Sequence, residues 1–131
     1  MKKDFVSTWK RSVKKSKQRK YRFNSPLHIK QKFVHSQLSK DLRKKYNKRS
    51  LGLRKGDKVK IEVGDFKGKE GKVERVDLKK TFVYINGIER TKKDGSKVFC
   101  PIHPSNVIIL DLVLDDKKRQ KILERKNASK K

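Results

Sequence analysis

From Lys58 the chain alternates, with Val59, Ile61 and Val63 on one face and Lys58, Lys60 and Glu62 on the other. That period of two predicts a half-buried strand. Further strands are predicted at 71–77, 81–85, 98–100 and 107–110, separated by Lys79-Lys80, Asp94-Gly95 and the stretch 101–104. Short strands with closely spaced turns predict a mostly β chain built around a small barrel. Val59, Ile61, Val63 and Val73 are assigned to its core. Asn86-Gly87 is a hairpin dipeptide, but a turn there leaves 88–91 without a partner before Asp94-Gly95, so the hairpin turn is placed at 93–96.

Outside this region the pattern predicts short helices. Ser25 caps and Pro26 opens a helix over 26–35, with Leu27, Lys30 and Val34 within one broad face. Ser39 caps a second helix running to Tyr46, with Asp41 at its positive end and Arg43, Lys44 and Lys45 toward the other. Asp115 and Asp116 open a C-terminal helix whose apolar contacts are Leu114, Ile122 and Leu123, and residues 127–131 are expected to fray. Residues 1–24 show no sustained apolar period, which predicts an extended arm, disordered when free. The chain thus divides into a basic arm (1–24), a short helical linker (25–50), a barrel (51–114) and a basic helix with its tail (115–131).

Charge changes this picture from a plain small fold to one that needs a partner. Forty Lys and Arg face fourteen Asp and Glu in 131 residues, for a net charge of +26, with 32% hydrophobic residues. So little apolar surface and so much self-repulsion make a modest core, and a polyanion is expected to complete the fold. Nucleic acid is the first candidate, because clustered Lys and Arg displace counterions from phosphates. An anionic membrane surface is the second, but the basic segments lack the large apolar face of an interfacial helix. No apolar run reaches spanning length, and the basic start is not followed by the apolar stretch of a secretory signal, so a cytoplasmic location is expected.

Candidate chemistry is sparse. Cys100 is the sole cysteine, so no intrachain disulfide is available, and His103 alone beside it does not make a zinc site. His28 and His35, seven apart, are expected on one face in a packing or polar role, and His103 is expected to fix the geometry of its turn. The few carboxylates sit beside lysines, and no nucleophile, base and orienting group can be assembled. The expectation is a chain without catalysis, cofactor or metal.

The stretch GDFKGKEGKV, from Gly64 to Val73, is the most distinctive. Its glycines permit a sharp bend and a close backbone approach to phosphate, and Lys67 and Lys69 are either solvated or in contact with a polyanion. It lacks the GK-Ser/Thr helix opening of a nucleotide-binding loop. The pattern from Val59 to Val73 resembles a KOW motif, the strand-loop-strand element of RNA-associated proteins. With SPLHIKQKFVHSQLSKDLRKKYNKRS at 25–50, PIHPSNV at 101–107 and LDDKKRQKILERK at 114–126, the chain resembles the family of ribosomal large-subunit protein twenty-four, in its archaeal and eukaryotic branch. The short tail favours an archaeal member.

The resemblance covers about 14–126 and implies a KOW domain folded as an SH3-like barrel and seated on large-subunit ribosomal RNA. It further implies a position near the polypeptide tunnel exit, a role early in subunit assembly, and neighbouring ribosomal proteins and tunnel-exit factors as partners, without a homo-oligomer. Carried onto this sequence, RNA contacts are expected from Lys14, Lys15, Lys17, Arg19, Lys20, Tyr21 and Arg22, from Arg43, Lys44, Lys45 and Arg49, and from Lys67 and Lys69. Residues 4–13, with Trp9, have no counterpart in the family pattern. Trp9, Tyr21 and Phe23 are candidates to stack on bases or to dock on protein. A KOW-bearing transcription-elongation factor is an alternative that matches across the motif alone. A general condensing protein is another, and the ordered alternation over 58–110 argues against it.

Overall fold

The computed structural model describes residues 5–128. Among these residues four α-helices and eight strands follow one another: α1 Lys15–Asn24, α2 Leu27–Lys30, β1 His35–Leu38, α3 Lys40–Tyr46, β2 Ser50–Gly52, β3 Lys58–Ile61, β4 Glu70–Asp77, β5 Phe82–Ile85, β6 Glu89–Thr91, β7 Lys97–Phe99, β8 Val107–Asp111 and α4 Lys117–Ala128. A six-stranded mixed sheet has the order β2-β1-β8-β3-β4-β5, and β6 and β7 form a separate hairpin. The result is the small β-barrel-like fold that the alternation predicts.

The core strands follow their period-two pattern. Val59 and Ile61 of β3, Val73 of β4, Val83 and Ile85 of β5, and Val107 and Ile109 of β8 are all at most 1% exposed. Pairing shifts register between Lys58 and Val59 against β8 and between Val73 and Arg75 against β5, and such bulges bend and twist a sheet. The hairpin turn falls where expected: Lys92 N–H donates to the Ser96 carbonyl at 2.9 Å, with Gly95 at φ 81°.

Val63 corrects the core assignment, being 59% exposed. β3 ends at Ile61, whose carbonyl accepts from Gly68 N–H at 2.8 Å, so the chain turns into a loop before Val63 can continue the face. The linker differs from expectation too. The helix predicted over 26–35 stops early, as α2 and a 3-10 turn at Gln31–Phe33, and Ser25 makes no side-chain cap but donates to the Tyr21 carbonyl at 2.5 Å. His35 enters β1, which lies parallel to β8 with Gln37 opposite Ile108, so His28 and His35 do not share a helical face. α3 is as predicted, with Ser39 Oγ accepting from Leu42 N–H at 3.3 Å and Asn47 ending the helix at φ 53°.

The C-terminal helix α4 packs onto the barrel through Leu123, part of the core. Asp116 Oδ1 accepts from Lys118 N–H at 2.8 Å, and this bond holds its carboxyl below the usual range, with Arg54 adding to the effect. That fixes the start of α4, and the same helix delivers Arg119 into the fold. Its guanidinium donates to both Asp57 oxygens, at 2.7 and 2.6 Å, and to the carbonyls of Val113 at 2.8 Å and Gly52 at 3.1 Å. The Asp57 carboxylate also accepts from the backbone N–H groups of Arg54 and Val113. Both side chains are at most 2% exposed, a buried pair held by the extra bonds that such a pair requires.

The N-terminal segment is helical where an extended arm was expected. Ser7–Arg11 is a 3-10 turn and α1 follows. Lys, Gln and Arg favour helix without any apolar stripe, so the missing period was no bar. The expectations for residues 1–4 and 129–131 lie outside the described residues.

Candidate nucleic-acid interface

The cationic residues singled out in the sequence lie on separate elements. Lys14 precedes α1, and Lys15, Lys17, Arg19, Lys20 and Arg22 project from it, all exposed. No acidic residue occupies its first turn and none of its residues is buried. Positive side chains crowd the positive end of a helix dipole, an arrangement relieved by a bound anion. Tyr21 differs: its ring lies 5.0 Å from Phe5 and 6.3 Å from Phe33, with the Arg22 guanidinium 5.8 Å from the Phe33 ring. The tyrosine is therefore half-buried in an aromatic cluster that ties α1 to the linker. Phe23 and Trp9 remain largely exposed, at 74% and 62%.

On α3, Lys44 and Lys45 are exposed, and Lys45 lies 5.3 Å from the Tyr46 ring. Arg43 turns inward, donating to the Leu38 carbonyl at 2.6 Å and to Gln37 Oε1 at 2.7 Å. It fastens the helix to β1. Arg49 is exposed, while its carbonyl accepts from Leu38 N–H at 3.0 Å.

The loop between β3 and β4 is shaped by Gly64 at φ 106° and Gly68 at φ 86°, conformations that favour glycine. Phe66 tucks against the core, and the Lys69 ammonium sits 5.2 Å from its ring. Asp65 pairs with Arg90 at 3.1 Å on the surface. Lys67 stands exposed at the loop's outer side. Gly71 belongs to another task, because a Cβ there would lie 2.5 Å from the Asn86 carbonyl oxygen and 2.7 Å from Ile85 Cγ2. It lets β4 pass close to the end of β5.

Among the histidines, His103 performs the local role expected, with Nδ1 2.7 Å from Ser105 Oγ and within 3.3 Å of Ser105 N–H. His35 is held below its ordinary value, first by burial and then by Lys48. Among the described residues no cluster of three or more His, Cys, Asp or Glu is placed to hold a metal, and no helix is long and apolar enough to cross a membrane.

The sequence alone did not reveal a cavity of about 380 Å3 between the 3-10 turn and α1, whose lining includes Phe5, Trp9, Tyr21 and Asn24 together with Lys17 and Lys20. Gln18 closes its frame by donating to the carbonyls of Lys10 at 2.9 Å and Ser12 at 2.7 Å. The spacing of residues 17, 20, 21 and 24, one helical face, was the available signal.

Comparison with known proteins gives consistent matches. The family model for ribosomal proteins, described as L26 in eukaryotes and as the L24 type in archaea, matches residues 12–126. A protein of Methanothrix thermoacetophila named "Large ribosomal subunit protein uL24" is 52% identical over 109 residues, which span 83% of this chain and 94% of the relative. Its namesake in Korarchaeum cryptofilum is 47% identical over 118 residues, 90% of each chain.

Proposed function

We propose that this chain, which belongs to the family of eukaryotic L26 and archaeal L24 ribosomal proteins, binds large-subunit ribosomal RNA as a structural constituent of the large ribosomal subunit. It serves translation through architecture, as members of a structural family do, and not as an enzyme. Affinity comes chiefly from phosphate neutralisation, and position comes from the shape of the folded RNA. The observation that carries this reading is the array of exposed cations on α1, α3 and the β3–β4 loop of a chain with net charge +26.

The KOW barrel of residues 51–114, completed by β1 from the 25–50 segment, acts as the docking body, and the basic segments around it extend its reach. Lys14, Lys15, Lys17, Arg19, Lys20 and Arg22 contact RNA from the α1 side, Lys44, Lys45 and Arg49 from α3, and Lys67 and Lys69 from the loop. Tyr21 and Arg43 contribute by holding α1 and α3 in place as well as by any RNA contact. The barrel docks first and the N-terminal segment then settles onto RNA, its ordering offset by neutralised charge. Early assembly, a seat near the tunnel exit with neighbouring ribosomal proteins and exit factors, and a cytoplasmic location follow from the family resemblance.

Gradient fractionation of native extract tests the assignment. Comigration with the large subunit, reversed by high salt, is the expected result. Recovery chiefly with RNA polymerase, or as free protein, refutes it.

A further inference from the structure

The cavity beside α1 has a size and a chemistry of its own. Its volume of about 380 Å3 falls in the range of about 300–1,000 Å3 typical of pockets for small ligands. Phe5, Trp9 and Tyr21 give it aromatic walls, and Lys17 and Lys20 lie on the helical face that carries Tyr21 and Asn24. The described residues that line it include no carboxylate. Trp9 lines the cavity and is 62% exposed as a residue, which leaves it accessible to a ligand, while the Gln18 bonds to Lys10 and Ser12 hold the 3-10 turn against α1.

We infer that this cavity captures one unstacked base of an RNA strand. Trp9 supplies the stacking face, the Asn24 amide offers a donor and an acceptor to the polar edge of the base, and Lys17 and Lys20 take the flanking phosphates. The charge pattern selects this occupant over an apolar side chain of a protein, which would leave the lysines and the amide without counter-groups. The inference rests on the RNA-binding reading above and goes beyond it, because Phe5 and Trp9 precede the residues 12–126 that the family model matches. One wall of the pocket is therefore built from sequence outside the matched span.

Trp9 is the chain's one tryptophan, so its fluorescence reports on this cavity. The full chain is titrated with a short single-stranded oligoribonucleotide and with an abasic oligomer of equal length, which keeps the phosphates and lacks the bases. The base-bearing oligomer is expected to quench Trp9 saturably and to bind about 5- to 150-fold more tightly than the abasic one. Trp9→Ala, read by anisotropy of a labelled oligomer, is expected to bring the two affinities together without altering their salt dependence, and Trp9→Phe to restore most of the difference. Equal affinities in the unsubstituted chain, with Trp9 emission unmoved, overturn base capture and leave the RNA reading standing. Failure of both oligomers to bind at low salt overturns the RNA reading, and this inference with it.

Discussion

In the six-stranded sheet, Val59, Ile61, Val83 and Ile109 are buried to 1% exposure or less, whereas α1, a helix of ten residues, buries none of its own. The sheet is held by apolar burial and by strand pairs that reach across the sequence. α1 is held by an aromatic contact at either side of Tyr21 and by Gln18, and an isolated helix of that length is marginal in water. One region has its stabilising contacts within the chain, and the other keeps its surface for something else. Stability and RNA affinity are therefore expected to separate in variants.

Hydrogen exchange should separate the two regions most. Amides of β3 and β8 are expected to open only with global unfolding, and those of α1 by local opening at a free energy lower by about 5 kcal/mol or more. Comparable protection in the free protein would break the contrast, and it would also refute ordering of the N-terminal segment on RNA. Added RNA is expected to slow exchange in α1 selectively.

Asp57→Ala comes next. It leaves Arg119 charged and buried without its carboxylate, a loss expected to cost about 3–5 kcal/mol in urea unfolding. A change within the range of ordinary surface substitutions would mean that α4 is not fastened as described.

Joint replacement of Lys14, Lys17 and Lys20 by Gln is expected to change the unfolding free energy by no more than about 0.5 kcal/mol. The salt dependence of RNA binding should become shallower by about one unit for each phosphate that is no longer neutralised. Lys67→Ala with Lys69→Ala should flatten it less, because Lys69 is partly engaged over Phe66. An unchanged slope in both would remove these lysines from the interface.

The smallest effect concerns His35. The folded chain holds it below its ordinary 6.5, so the unfolded chain takes up the proton more readily. Its contribution is present above that value and declines as pH falls through it toward the lower folded value. His35→Gln is expected to flatten that part of the stability profile, as read by thermal unfolding across pH.

What was legible in the sequence was local. The alternation of Lys58 to Ile61, the Ser39 cap and the Asp94-Gly95 turn each declare themselves within a few residues, and the structure carries all of them. β1 and β2 were invisible because their residues fall in a segment without alternation, on either side of the helix that Ser39 caps, and their definition comes from partners elsewhere in the chain, such as Ile108 opposite Gln37. Val63 continued a pattern that the backbone had already left. Nothing in the neighbouring sequence marks Asp57, since its burial depends on an arginine 62 positions later. At the candidate interface the cations were evident from composition, but the inward turn of Arg43 and the cavity beside Trp9 depend on tertiary placement.

That separation between Asp57 and Arg119 also ties the segment before β3 to the helix after β8. Every strand of the sheet lies at or before Asp111, yet the cation that matches the Asp57 carboxylate comes after it, on a helix that begins at Lys117. A chain cut after Asp111 would keep every strand of the sheet around a carboxylate without its cation. The C-terminal helix is thus a latch on the barrel, which has its full stability only with Arg119 seated on Asp57.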